Sequence, residues 1–243
     1  AYLFAGGEST AATARSVYFD GSSDYVQFQA SSSGVAVGTG NFTMECWINV
    51  DDISQTRAFI DTRSAWDSND GIRLSVMNDG AIEGYWNNET FFGTSQIKIA
   101  PGTWNHIALV RTATGSLKLY VNGTQSGATW TGNQDFSNSE FMVGADMAAA
   151  NEFKGYISNV RLNKGEGLYS ASFRPTTVPL TATSQGSTAN NVKILACNNS
   201  SITGGTVLPA TVNSGGGPTA SIDSPFDDPA GFVFGDAEDQ NVI

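Results

Sequence analysis

Few residues in this chain are placed to break a bond. Cleaving a glycosidic linkage takes two carboxyl groups roughly 5–9 Å apart, which on one strand means acids at i, i+2 or i, i+4. The best-placed acid, Glu45, has Trp47 and Asn49 at those positions. His106 is the only histidine, so any Ser-His-Asp or Cys-His relay must use it. It sits mid-strand between Trp104 and Ala108, where a structural role is expected. Cys46 and Cys197, the only cysteines, each lie in an apolar strand pattern. Two buried free thiols are expected. The alternative is a disulfide, which implies an oxidising compartment. One histidine and two separated cysteines make a poor transition-metal site. No catalytic residue and no metal ligand is assigned.

Residues suited to binding are more numerous. A shallow sugar site needs an exposed aromatic face, with amides and carboxylates for the hydroxyls. Trp66 stands beside Asp67 and Asn69, Trp86 beside Asn88, and Trp130 beside Asn133. Trp66, Asp67, Asn69, Trp86, Asn88 and Trp130 are therefore the candidate glycan-binding residues. The competing role for the three indoles is to cap the core edge or fill a subunit interface, where Trp is enriched. Trp47 and Trp104 are expected to pack within the sheets. Calcium takes its oxygens from acidic turns, and Asp20-Gly21-Ser22-Ser23-Asp24 and the Asp67, Asn69, Asp70 loop supply such oxygens. Ordinary turns account for both, so no cofactor is expected and calcium is the one left open.

These residues must be carried by strands. Period-2 alternation recurs along the chain and helical periodicity is scarce. Phe42, Met44, Cys46, Ile48 and Val50 fall on one face of the clearest strand, with Thr43, Glu45, Trp47 and Asn49 on the other. Residues 16–20 and 25–29 read as a hairpin across the Asp-Gly turn. Further strands are expected at 58–63, 72–77, 81–86, 104–111, 117–121, 124–129, 141–144, 153–162, 192–197 and 205–212. Asn78-Asp79-Gly80 and Asn122-Gly123 are hairpin signals. The uneven spacing in 153–162 predicts a bulge. Residues 165–173 suggest one short helical turn closed by Pro175, and 176–191 an exposed polar connection. Short strands with frequent turns predict an all-β fold, a two-sheet antiparallel jelly-roll sandwich with short extended tails.

Composition narrows the partners. Only 14% of the 243 residues are charged, against roughly 25% in an average soluble protein. A net charge of −11 repels a phosphate backbone, so nucleic acid is not expected as a partner. No apolar run approaches the ~20 residues of a membrane-spanning helix, so no membrane insertion is expected. The expected organisation is an N-terminal extension (1–14), the sandwich (15–213) and a linker or tail (214–243) leading toward a further module. Breaks at Ser214-Gly215-Gly216-Gly217-Pro218 and at Ser224-Pro225 mark that tail.

Five segments in order resemble laminin-G-like, concanavalin-A-like domains: residues 16–26, 42–48, 104–111, 117–123 and 153–161. Residues 169–181, 192–197 and 224–226 resemble a version found in phage virion structural proteins, marine phages especially. The resemblance implies a concanavalin-A-like sandwich and a virion-surface or extracellular location, in a fibre, tail appendage or capsid decoration. It implies partners among other virion or assembly proteins or copies of itself, as a homo-oligomer or multicopy assembly, with a cell-surface glycan as a further partner. The related glycoside hydrolases carry Glu-x-Asp-x-x-Glu, which this chain lacks. A non-catalytic structural module with a glycan-attachment role is therefore expected. A carbohydrate-active enzyme domain and a cellular adhesin or matrix module are the alternatives.

Overall fold

The structure is a computed structural model that describes residues 15–29, 34–86, 89–91, 97–112, 115–148 and 150–226. The described strands form two antiparallel sheets facing one another across a single core. The larger sheet contains β1 (Ser16–Asp20), β3 (Phe42–Val50), β8 (Asn105–Thr112), β9 (Ser116–Val121), β10 (Thr124–Gln125), β11 (Trp130–Thr131) and β13 (Lys154–Lys164). It also takes in β14 (Val192–Ala196), β15 (Gly205–Val207) and β17 (Thr219–Ser221). The smaller sheet contains β2 (Tyr25–Gln29), β4 (Arg57–Asp61), β5 (Arg73–Val76), β6 (Ile82–Trp86), β7 (Glu89–Phe91), β12 (Glu140–Val143) and β16 (Thr211–Gly215). Its order is β16-β2-β12-β4-β5-β6-β7. This is the all-β sandwich that the alternation predicts.

Alternation decides which side chains meet between the sheets. On β3, Phe42, Met44, Cys46, Ile48 and Val50 are buried in the core, while Glu45 and Trp47 point away from it. Edge-to-face pairs such as Phe19–Phe153 at 6.4 Å and Phe28–Phe141 at 6.3 Å fill the space between. Both cysteines are buried free thiols. The expected bulge in β13 falls between Ser158 and Arg161, where Asn159 takes a φ of 50°.

Three local expectations are corrected. β1 and β2 do not form a hairpin: β1 pairs with β13 and β17, and β2 with β12 and β16. The turn between them is a corner from one sheet to the other, because Val17 and Phe19 reach the core from one side and Val26 and Phe28 from the opposite side. The boundary at 213 falls inside β16, and the segment expected to be linker supplies β17 to the larger sheet. Asp24 joins these parts, its carboxylate accepting from Asp20 N at 2.8 Å and Gly217 N at 2.5 Å.

The third correction concerns residues 165–191, which form neither a helical turn at 165–173 nor a mere exposed connection. They run as a strap over the outward face of the larger sheet. Tyr169 and Phe173 stack at 3.5 Å and 8°, and Pro179 and Leu180 are buried. Leu180 N donates to Asn159 Oδ1 at 2.9 Å, and Phe173 N donates to Gly123 O at 2.8 Å. Those long-range contacts outweigh a weak local helical preference.

Candidate functional site

The outward face of the smaller sheet is polar. Strand register lines up Asn213, Gln27, Met142, Asp61, Arg73 and Tyr85 in one row across six strands. At about 4.8 Å per strand the row is roughly 24 Å long. In the neighbouring row, Thr211, Gln29 and Glu140 lie side by side. Gln27 and Gln29 donate to the two oxygens of Glu140 at 3.3 and 3.2 Å, and Asn213 donates to Gln29 Oε1 at 3.3 Å. Amides held in this way present fixed donors and acceptors along an open surface.

At one end of the row, the loop after β4 places Trp66 over Tyr85, with ring centroids 5.8 Å apart and planes at 38°. Trp66 is 46% exposed, the largest aromatic surface so open among the described residues. Arg63 and Arg73 lie beneath, each within 5.5 Å of both ring centroids. Arg63 closes a fork on Asp61 with bonds of 3.0 and 2.7 Å, and Arg73 reaches Glu83 at 3.1 Å and Asp146 at 3.5 Å. Asp61, Glu83 and Asp146 are thus engaged in ion pairs, whereas Glu140 is held by amides. Asp70 staples the loop by accepting from Ser64 N and Ser68 Oγ. Burial works against it, yet these bonds hold its carboxyl below the usual range.

The family model for the concanavalin A-like lectin/glucanases superfamily matches residues 20–166. The chain belongs to that superfamily. The fold is similar to the heptameric SAP-like pentraxin of Limulus polyphemus, at a TM-score of 0.53 and 17% identity, over 87% of this chain and 96% of that one. It is also similar to a candidate carbohydrate-binding protein of Bacteroides ovatus ATCC 8483, at a TM-score of 0.59 and 19% identity. That match covers 89% of this chain, which spans 62% of the Bacteroides protein's length. No curated protein matches the sequence.

Within this superfamily sandwich, the residues expected to bind are only partly gathered. Trp66, Asp67 and Asn69 share the loop after β4, and Trp86 joins them by donating its indole N–H to Asn69 O at 2.8 Å. Trp86 also packs against the core, so it supports the loop rather than offering a face. Asn88 lies outside the described residues. Trp130 stands apart from them: it sits on β11, paired with β9 in the other sheet, and packs against the core edge. Alternation missed Tyr85, Arg63, Arg73, Gln27, Gln29 and Glu140. The available signal was the polar partner of each core residue, as in Val26-Gln27-Phe28-Gln29.

Glu45, the acid nearest to a superfamily hydrolase position, is sealed under the strap. Arg161 donates to its Oε1 at 2.8 and 2.5 Å. His106 Nε2 and the Tyr169 hydroxyl reach Oε2 at 3.0 and 2.9 Å. Burial opposes ionisation, but Arg161 and then His106 pull the carboxyl down to about 2. A proton donor must hold its proton near neutral pH, and this group does not. Asp24, in the turn considered for calcium, spends its carboxylate on backbone N–H groups of two segments. Among the described residues, no three or more His, Cys, Asp or Glu side chains gather as a metal site.

Proposed function

We propose that this chain is a non-catalytic, glycan-binding surface module, and that its ledge of Trp66 and Tyr85 with the polar row beside it receives a neutral saccharide chain. The observation that carries this is the exposed Trp66 ring at one end of a sheet face whose other end presents the accessible side chains of Gln27, Gln29, Asn213 and Glu140, with the row between them buried. An indole face stacks on the C–H side of a sugar, while fixed amides and carboxylates exchange hydrogen bonds with its hydroxyls. The cations beneath the rings are already paired, so the surface favours an uncharged ligand. The named role of the Bacteroides relative agrees with this reading. Because the face is shallow, each contact is weak, and useful attachment comes from many copies acting together.

The setting we infer is a virion or other extracellular surface, in contact with assembly proteins or further copies of the chain. The support is the resemblance of residues 169–181 and 224–226 to phage structural proteins. A glycan array, probed with and without calcium, tests the binding. Neutral polysaccharides are expected to bind the wild type, and Trp66→Ala to lose at least about tenfold with its melting temperature little changed. No signal on diverse polysaccharides overturns the proposal, as does undiminished binding by Trp66→Ala.

A further inference from the structure

A second set of features lies on the opposite face of the sandwich, where the strap crosses the larger sheet. Two adjoining cavities, each of about 370 Å³, share Arg174, Pro175, Thr176 and Thr177 in their walls. One adds Ser184 and Gln185, and the other adds Trp47, Asn122 and Pro225. Both are shallow and open to solvent rather than enclosed.

The walls are held in place by the fold. Phe173 N bonds to the Asn122-Gly123 turn, and Gln185 Nε2 donates to Arg174 O at 3.0 Å. Arg161 Nη1 donates to Thr181 O and Ser184 O at 2.9 Å each. The Trp47 ring is braced edge-on by His106 at 5.1 Å and by Phe226 at 5.6 Å. It forms a half-buried apolar side of the cavity.

Charge makes the place unusual. The chain carries 23 acidic residues against 12 Lys and Arg, yet among the described residues the walls of neither cavity contain a carboxylate. Arg174 is exposed, and its guanidinium forms no salt bridge among the described residues. The cations of the other face are paired instead. A guanidinium offers a planar fork of donors that fits a carboxylate. The Thr177 hydroxyl and Gln185 Oε1 supply groups for hydroxyls, and Trp47 a surface for stacking.

We propose that this cleft is a second binding site, taking a sugar that bears a carboxylate, with Arg174 as the anion receptor. The site is separate from the Trp66 ledge and does not depend on the reading given to it. The test is NMR titration of the whole chain with methyl α-glucuronide, N-acetylneuraminic acid and methyl α-glucoside. The glucoside differs from the glucuronide only where a hydroxymethyl replaces the carboxylate.

At least one acidic sugar is expected to bind about tenfold or more tightly than the glucoside. Its shifts should centre on Trp47, Thr176 and Thr177, and its affinity should weaken as salt rises. The preferred acid then distinguishes a uronate site from a nonulosonate one. Arg174→Gln should reduce that affinity to the level of the glucoside, and Arg174→Lys should retain part of it. Equal affinity for acid and glucoside overturns the proposal, as does no binding of either acid. Shifts centred on Trp66 and Tyr85, or undiminished affinity in folded Arg174→Gln, also overturn it.

Discussion

The network around Glu45 makes a quantitative prediction about acid stability. Its carboxyl is held at about 2 in the fold against an ordinary 4.5. At roughly 1.4 kcal/mol per pH unit, that difference corresponds to about 3 kcal/mol of stability. Because the folded value is the lower one, the contribution is whole above pH 4.5 and is lost as pH falls toward 2. Most of it should be gone by pH 2.5. Other acids, among them Glu166 held at about 2 chiefly by Thr188, add their own slopes, so the wild type alone does not isolate Glu45. Glu45→Gln does. It removes the titration and leaves Arg161 buried without its counter-charge, which costs roughly 3–5 kcal/mol at neutral pH. Urea unfolding at pH 7, 5, 3.5 and 2.5 should show the variant less stable at pH 7. Between pH 5 and 2.5 it should lose roughly 2–3 kcal/mol less than the wild type. Parallel pH profiles, or a cost below about 1 kcal/mol at pH 7, would show that the pair does not stabilise the fold as argued.

Three further outcomes follow from particular contacts. Asp24→Ala removes the acceptor for Asp20 N and Gly217 N and should cost about 1–3 kcal/mol, with faster amide exchange confined first to Thr219–Ser221. Gly123 has a φ of +76°, and an added Cβ would lie 2.0 Å from the Phe173 carbonyl oxygen. Gly123→Ala should therefore lift the strap, seen as raised exchange across 168–175 while the core strands stay protected. Burial raises both thiols, Cys197 to about 12. Ellman's reagent should leave the native chain unlabelled at pH 8 and find two thiols after unfolding. Rapid native labelling, or none after unfolding, would refute the buried free thiols.

The sandwich was legible because alternation is a strong local signal. The strand with Phe42, Met44, Cys46, Ile48 and Val50 needs a core on one side only, and a series of such strands needs two sheets. Sheet membership was not legible. Val17 and Phe19 pair as well with Val26 and Phe28 across a hairpin as across a core, and only the long-range partners β13 and β12 decide between them. The strap escaped for a related reason. Its few apolar residues have no period: Tyr169 and Phe173 find partners on β8 and β9 tens of residues away, and Leu180 packs against Val192 and Leu195 of β14. Trp66 was found because it stands among loop polars. Tyr85 and Arg73 were not, since an outward strand position looks alike whether a loop covers it or leaves it open.

The two outward faces differ for a reason that begins with one residue. An acid at position 45 on a core strand cannot face an apolar neighbour without a large desolvation cost. The structure meets that cost with Arg161 from β13, His106 from β8 and Tyr169 from the strap. The last of these requires the strap to cross the sheet, and its crossing creates the walls of the cleft around Arg174. On the smaller sheet, the buried acids Asp61 and Glu83 close pairs with Arg63 just beyond β4 and with Arg73 on the adjacent strand. Nothing comparable to the strap is needed there to neutralise them, and Trp66 and the amide row face outward. A single fold thus presents a ledge whose arginines are matched and a shallow cleft with one unmatched cation. The chemistry of the ligands each can hold follows from how its buried charges were balanced.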